Sequence, residues 1–150
     1  MSETRFFEDI QLGEKFKTGT FELTAEKVHE FASEYDPQFI HVDEDASKNG
    51  PFGTIIASGW QTLSATMRLM ALEKPFGNNP LIGMRIDELK FAKPVYPGEA
   101  VYVDAEVVSL KASTKGERGY VGIRLNTKTT HNDEIVATQI WTCLVPSKTA

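Results

Sequence analysis

The second half of the chain constrains the fold most. Between residues 100 and 145, a mostly apolar set of side chains falls on every second position in three successive runs. They are Val101, Val103, Ala105 and Val107 in 100–110, then Val121, Ile123, Leu125 and Thr127 in 120–130. Ile135, Ala137, Gln139, Trp141 and Cys143 follow in 134–145. A period of two puts such residues on one face of an extended strand. Residues 81–91 make a fourth candidate strand. Pro94-Val95-Tyr96-Pro97-Gly98 reads as a rigid turn, and His131-Asn132-Asp133 as a short hairpin turn. No helical stretch separates these strands, so neighbours pair antiparallel through short connections.

The first half reads differently. After an irregular lead-in over 1–15, residues 15–23 can form a strand. Thr24 can cap a helix that runs to Tyr35, with Val28, Phe31, Ala32 and Tyr35 on one face. Pro37 disfavours helical geometry at Asp36 and ends it there. Asp43 can cap a short helix through Lys48. A longer helix should run from about Ser58 to Lys74, before Pro75, with Trp60, Leu63, Ser64, Met67, Met70 and Ala71 along one stripe. Its many apolar and small positions suggest that other structure wraps it. Helices early and strands late give an α+β class: a long helix against an antiparallel sheet.

Bulk properties narrow the function. A chain of 150 residues with 41% hydrophobic content suits one domain with one core, 1–150. The net charge of −5 argues against a nucleic-acid partner, which needs a basic face. A lone cysteine, Cys143, rules out an internal disulfide and fits a reducing, cytoplasmic setting. The charged N-terminal residues do not read as a signal peptide, and no apolar run reaches membrane-spanning length. His29, His41 and His131 lack metal-ligand spacing, so no metal is expected. Arg68, Lys90 and Lys93 could meet the phosphates of an anionic ligand, but each reads more simply as solvated surface. Trp60 and Trp141 read as core.

The segment Tyr35-Asp36-Pro37-Gln38-Phe39-Ile40-His41 carries the most chemistry. It sets a carboxylate and an imidazole five residues apart on a turn that Pro37 stiffens. Packed Phe39 and Ile40 could aim both groups into one cavity. Histidine exchanges protons near neutrality, and a buried aspartate can have its pKa raised and act as an acid. Spacing by itself leaves a structural alternative open: a helix-ending Asp and a satisfied His.

This segment resembles the signature of the MaoC-like, (R)-specific enoyl-CoA hydratases, Asp-x-Asn-Pro-aliphatic-His. Asp36, Ile40 and His41 match; Gln38 stands where the family has Asn, and Phe39 where it has Pro. Ala57-Ser58-Gly59-Trp60 is similar to the family's approach to its central helix. Residues 91–99 are similar to its Phe-x-x-Pro-Val-x-x-Gly-Asp turn, and 6–16 to its lead-in. The resemblance implies a hot-dog fold, a curved antiparallel sheet wrapped around the long helix, and a homodimer. It implies a thioester of coenzyme A or an acyl carrier as substrate, with no cofactor beyond that carrier. It implies catalytic Asp36 and His41, with the family's helix serine mapping to Ser64.

The implied reaction is hydration of a trans-2-enoyl-CoA to the (R)-3-hydroxyacyl-CoA, or the reverse. Asp36 and His41 would hold one water. The N-terminus of the long helix at Gly59 would offer backbone N–H groups to the thioester oxygen. Ser58, Gly59, Ser64 and Gln38 are the expected substrate contacts. Two other readings stay open: a hot-dog thioesterase, for which the long helix offers only Glu73, and a non-catalytic acyl-thioester binding protein.

Overall fold

The computed structural model describes residues 3–148; the first two residues of the expected lead-in, and the last two of the chain, lie outside them. Strands β1 (Lys15–Lys17) and β2 (Phe21–Glu22) precede three helices, α1 (Ala25–Tyr35), α2 (Phe39–Val42) and α3 (Glu44–Lys48). The long helix α4 (Gly59–Glu73) leads into β3 (Ile82–Phe91), β4 (Ala100–Ala112), β5 (Arg118–Thr129) and β6 (Ile135–Pro146). The sheet is antiparallel, in the order β1-β4-β5-β6-β3, with β2 also on β4. It wraps α4 without closing, which is the hot-dog arrangement.

The local signals that set these elements are visible. Thr24 Oγ1 accepts from Lys27 N and Asp43 Oδ1 from Ala46 N, so both expected caps form; each is worth about 1 kcal/mol. The inward set of the period-two runs is buried: Val101, Val103, Val121, Ile123, Leu125, Cys143 and Val145 make the core with Leu69 and Met70 of α4. Arg5 anchors the lead-in, donating to Glu14, to Asp9 O and to Pro75 O just beyond α4.

Three expectations need correction. The strand expected over 15–23 is two short ones, because Thr18 N and Oγ1 turn to Val103 and interrupt the ladder. Tyr35 is exposed rather than part of the α1 core face, which is Val28 and Ala32 with Phe31 half-buried. The buried face of α4 is Gln61, Thr62, Ala65, Thr66, Leu69 and Met70, not the larger stripe. Of that stripe only Met70 is fully buried; Trp60, Ser64, Met67 and Ala71 are exposed. The sheet curls close to the helix, so small side chains fill the contact. Thr66 Oγ1 lies 2.6 Å from Thr127 Oγ1 on β5. Trp60 is thus not core, whereas Trp141 is.

Candidate functional site

Asp36 is held where α1 ends. Its backbone N–H still donates to Ala32 O, but its own φ of −153° has left the helix. Gln38 N donates to Asp36 O, and His41 N to Gln38 O, which bends the chain into the single turn of α2. Ile56 N donates to Ile40 O, and Ala57 N to Val95 O. These bonds lace the turn to the 55–58 segment and to the Pro94–Gly98 turn. They fix the loop, rather than Phe39: that ring is half-exposed and lies over Gly50.

His41 is buried, and its Nε2 is 3.2 Å from Asp36 Oδ2. Its Nδ1 is 2.7 Å from Ile56 O. A carbonyl oxygen only accepts, so Nδ1 carries a hydrogen and Nε2 is the nitrogen free to take or give a proton. Asp36 is gripped on both oxygens. Gln38 Nε2 donates to Oδ1 at 2.6 Å, and the Ser58 hydroxyl donates to Oδ2 at 2.7 Å. The Gln38 amide holds the carboxyl below its ordinary value of 3.8; burial opposes this, and the Ser58 hydroxyl and the His41 ring add to the lowering. Sequence reasoning allowed a raised value through burial. Hydrogen bonds to the charged form outweigh the desolvation.

Counting lone pairs locates the vacant position. Oδ2 already receives Ser58 and faces His41, whereas Oδ1 receives only Gln38. Oδ1 therefore keeps a lone pair for one water molecule, beside the His41 Nε2–Asp36 Oδ2 contact.

The pair opens into a cleft of about 430 Å³ lined by Phe52, Gly59, Trp60, Thr62, Phe91 and Lys93 among others. Ser58 is the N-cap of α4 and is itself wholly buried. Its Oγ accepts from Trp60 N, so Gly59 N–H is left in the first turn without an acceptor among the described residues. The Phe91 ring occupies the space a Cβ on Gly59 would need, 2.6 Å from it. Trp60 meets Phe91 edge-on at 6.4 Å between ring centroids, forming an aromatic rim. Lys93 stands at the rim paired with Glu134 at 2.7 Å.

Asp36, His41, Gln38, Ser58 and Gly59 thus come together. Gln38 and Ser58, expected as substrate contacts, each donate to Asp36. Ser64 does not join them: its hydroxyl back-bonds to Trp60 O, and it is exposed on a separate groove beside Phe21, Gln61 and Arg68. Glu73 closes the far end of α4, roughly 20 Å from Gly59 at 1.5 Å per residue. Trp60, Thr62 and Phe52 were not foreseen as lining residues. Trp60 and Thr62 sit in the helix turn after Ser58-Gly59, and that position was the available signal. Among the described residues no three His, Cys, Asp or Glu side chains are grouped to hold a metal ion, and no helix is long and apolar enough to cross a membrane.

Residues 9–132 match the model of the MaoC-like domain. The chain belongs to the MaoC-like family. The uncharacterized protein YdeM of Bacillus subtilis is 34% identical over 120 residues, 80% of this chain and 84% of that protein. The 3-hydroxyacyl-thioester dehydratase Z of Mycobacterium tuberculosis is 34% identical over 91 residues, 59% of this chain and 60% of that protein. Among solved structures, the MaoC-like dehydratase from Rhodospirillum rubrum superposes with a TM-score of 0.89 at 30% identity, covering 95% of this chain and 97% of that one. As a MaoC-like protein the chain is a hydro-lyase of the hydratase/dehydratase kind.

Proposed function

We propose that this MaoC-like chain adds water across the double bond of a trans-2-enoyl-CoA to give the (R)-3-hydroxyacyl-CoA, and catalyses the reverse dehydration. One observation carries the reading: a carboxylate and an imidazole nitrogen 3.2 Å apart, with one carboxylate oxygen still able to accept, line a cleft beside a helix N-terminus. A water held by Asp36 Oδ1 and His41 Nε2 would meet the β-carbon. As its oxygen bonds there, His41 Nε2 takes a proton and the π electrons move toward the thioester oxygen, which Gly59 N–H receives. The imidazolium then returns the proton to the α-carbon, so the elements of one water are added. Asp36, kept ionised by its donors, orients the water and stabilises the imidazolium. It is a poor acid, which gives the proton-carrying role to His41. A positioned acid or base of this kind contributes about 10²–10⁴ in rate.

The reading needs no metal and no cofactor beyond the coenzyme A on the substrate. Residues 1–150 are taken as one MaoC-like domain, and buried Cys143, its thiol pushed up to about 11 by burial, fits a reducing cytoplasm. A homodimer is part of the proposal. β3 is one edge of the sheet, and Met84, Ile86 and Phe91 on it lie exposed near Trp60 and Met67 of α4. A second copy pairing along β3 would cover both edge and stripe.

The test is turnover of purified protein on short- and medium-chain trans-2-enoyl-CoAs, following loss of the conjugated thioester and release of free thiol in parallel. The proposal expects enoyl consumption without thiol. Thiol release without hydration would support the thioesterase, and neither would support the binding protein.

A further inference from the structure

Helix α4 and its cap carry four side-chain hydroxyls, on Ser58, Thr62, Ser64 and Thr66. Three are committed within the chain. Ser58 donates to Asp36 Oδ2, Ser64 back-bonds to Trp60 O, and Thr66 to Thr62 O. Thr62 Oγ1 makes no hydrogen bond among the described residues. The reason is local. A threonine inside a helix ordinarily back-bonds to the carbonyl four residues earlier. Here that carbonyl, Ser58 O, already accepts from Gln61 N at 3.0 Å and from Thr62 N at 3.2 Å, which occupies both of its lone pairs.

Thr62 is 3% exposed, yet its hydroxyl is not sealed in: the sealed, unpartnered side-chain atoms among the described residues are Gln61 Oε1 and Arg118 Nε. The opening it has is onto the cleft that Thr62 lines with Asp36, His41 and Gly59. Ile56, Ala57, Val95 and Val136 of the same cleft are buried and apolar, so they offer this hydroxyl no side-chain partner. Thr62 lies three residues beyond Gly59, roughly 4.5 Å along the helix axis. With the thioester oxygen at Gly59 N–H, the β-carbon, two bonds beyond the thioester carbon, comes toward the level of Thr62.

A buried hydroxyl normally has a partner. We infer that Thr62 Oγ1 donates to the oxygen that bonds the β-carbon, which is the reacting water in hydration and the 3-hydroxyl in dehydration. No proton leaves Thr62. The hydrogens of the water face Asp36 and His41, one lone pair goes to the β-carbon, and the other receives the Thr62 O–H. This third contact holds the oxygen to one face of the double bond. The inference rests on the hydratase reading for the position of the thioester.

Two variants, each shown to be folded by thermal unfolding, test it. Thr62→Val keeps the shape and removes the hydroxyl; Thr62→Ser keeps the hydroxyl. On a short-chain trans-2-enoyl-CoA, Thr62→Val should lose about tenfold in kcat/KM, and Thr62→Ser should retain most of it. Calorimetry supplies a readout that turnover does not enter. The preference of wild type for an (R)-3-hydroxyacyl-CoA over the saturated acyl-CoA of the same length should fall about three- to tenfold in Thr62→Val and persist in Thr62→Ser. That pattern supports the inference even if no enoyl-CoA is hydrated and the hydratase reading falls. An unchanged 3-hydroxyl preference in Thr62→Val overturns it, while hydration by wild type would leave the hydratase reading standing. Equal losses in the two variants also overturn it, because they would make Thr62 a packing residue.

Discussion

The Ser58 hydroxyl donates to Asp36 Oδ2 at 2.7 Å while accepting from Trp60 N at 3.2 Å, so one buried side chain both caps α4 and grips the site carboxylate. The two residues are 22 positions apart. Ser58→Ala should therefore cost about 1 kcal/mol of stability through the lost cap. It should also raise the Asp36 pKa. Thermal unfolding and an NMR titration of the Asp36 carboxyl in the two proteins check both effects.

Gln38 makes the largest contribution to the lowering at Asp36, from an exposed position that caps no helix with its side chain. Gln38→Leu should raise the Asp36 pKa further than Ser58→Ala does, and should lose near neutral pH the stability that the lowered value contributes. The linkage has a defined sign. Because the folded value of Asp36 lies below 3.8, its contribution to stability is present above that pH and is lost as pH falls through the lowered value. Denaturant titrations from pH 6 to pH 3 (about the span that brackets the ordinary carboxylate range) should show this acid-side loss in wild type and a smaller one in Gln38→Leu.

Gly59→Ala should impair catalysis more than folding. The added Cβ falls on the Phe91 ring, which is half-exposed and can swing aside, but into the cleft it lines. The expected result is a raised KM, together with a kcat lowered by about 10²–10³ if the Gly59 N–H is displaced from the thioester oxygen. A normal melting temperature would separate this from misfolding.

Charge on the free edge should break the proposed dimer. Ile86→Glu places a carboxylate among Met67, Met84 and Trp141, where two copies would meet. Wild type should sediment as a dimer and the variant as a monomer. A monomeric wild type would contradict the proposed assembly.

Much of the fold was legible because it rests on local rules. Alternation gave β4, β5 and β6 nearly to their ends, and Thr24 and Asp43 announced their helices as caps do. The buried face of α4 was not legible. Helical periodicity finds apolar stripes, and this helix has one on each side: a small one under the sheet and a large one beside the unpaired edge of β3. The Asp36–His41 pair was readable from its own short segment. The clamp on Asp36 by Ser58, and the anchoring of His41 by Ile56 O, join residues 22 and 15 positions apart, and no spacing rule encodes such contacts. Ser64 was placed by counting along the helix, and a helix rotates its residues by about 100° each, so a small miscount turns the side chain to another groove.

The most direct test is the rate of hydration of a trans-2-enoyl-CoA by wild type, Asp36→Asn and His41→Ala, all shown to be folded. The shared-water mechanism predicts that each variant loses about 10²–10⁴ in kcat, with the double variant little worse than the singles. Variants that hydrate the substrate as fast as wild type would contradict it.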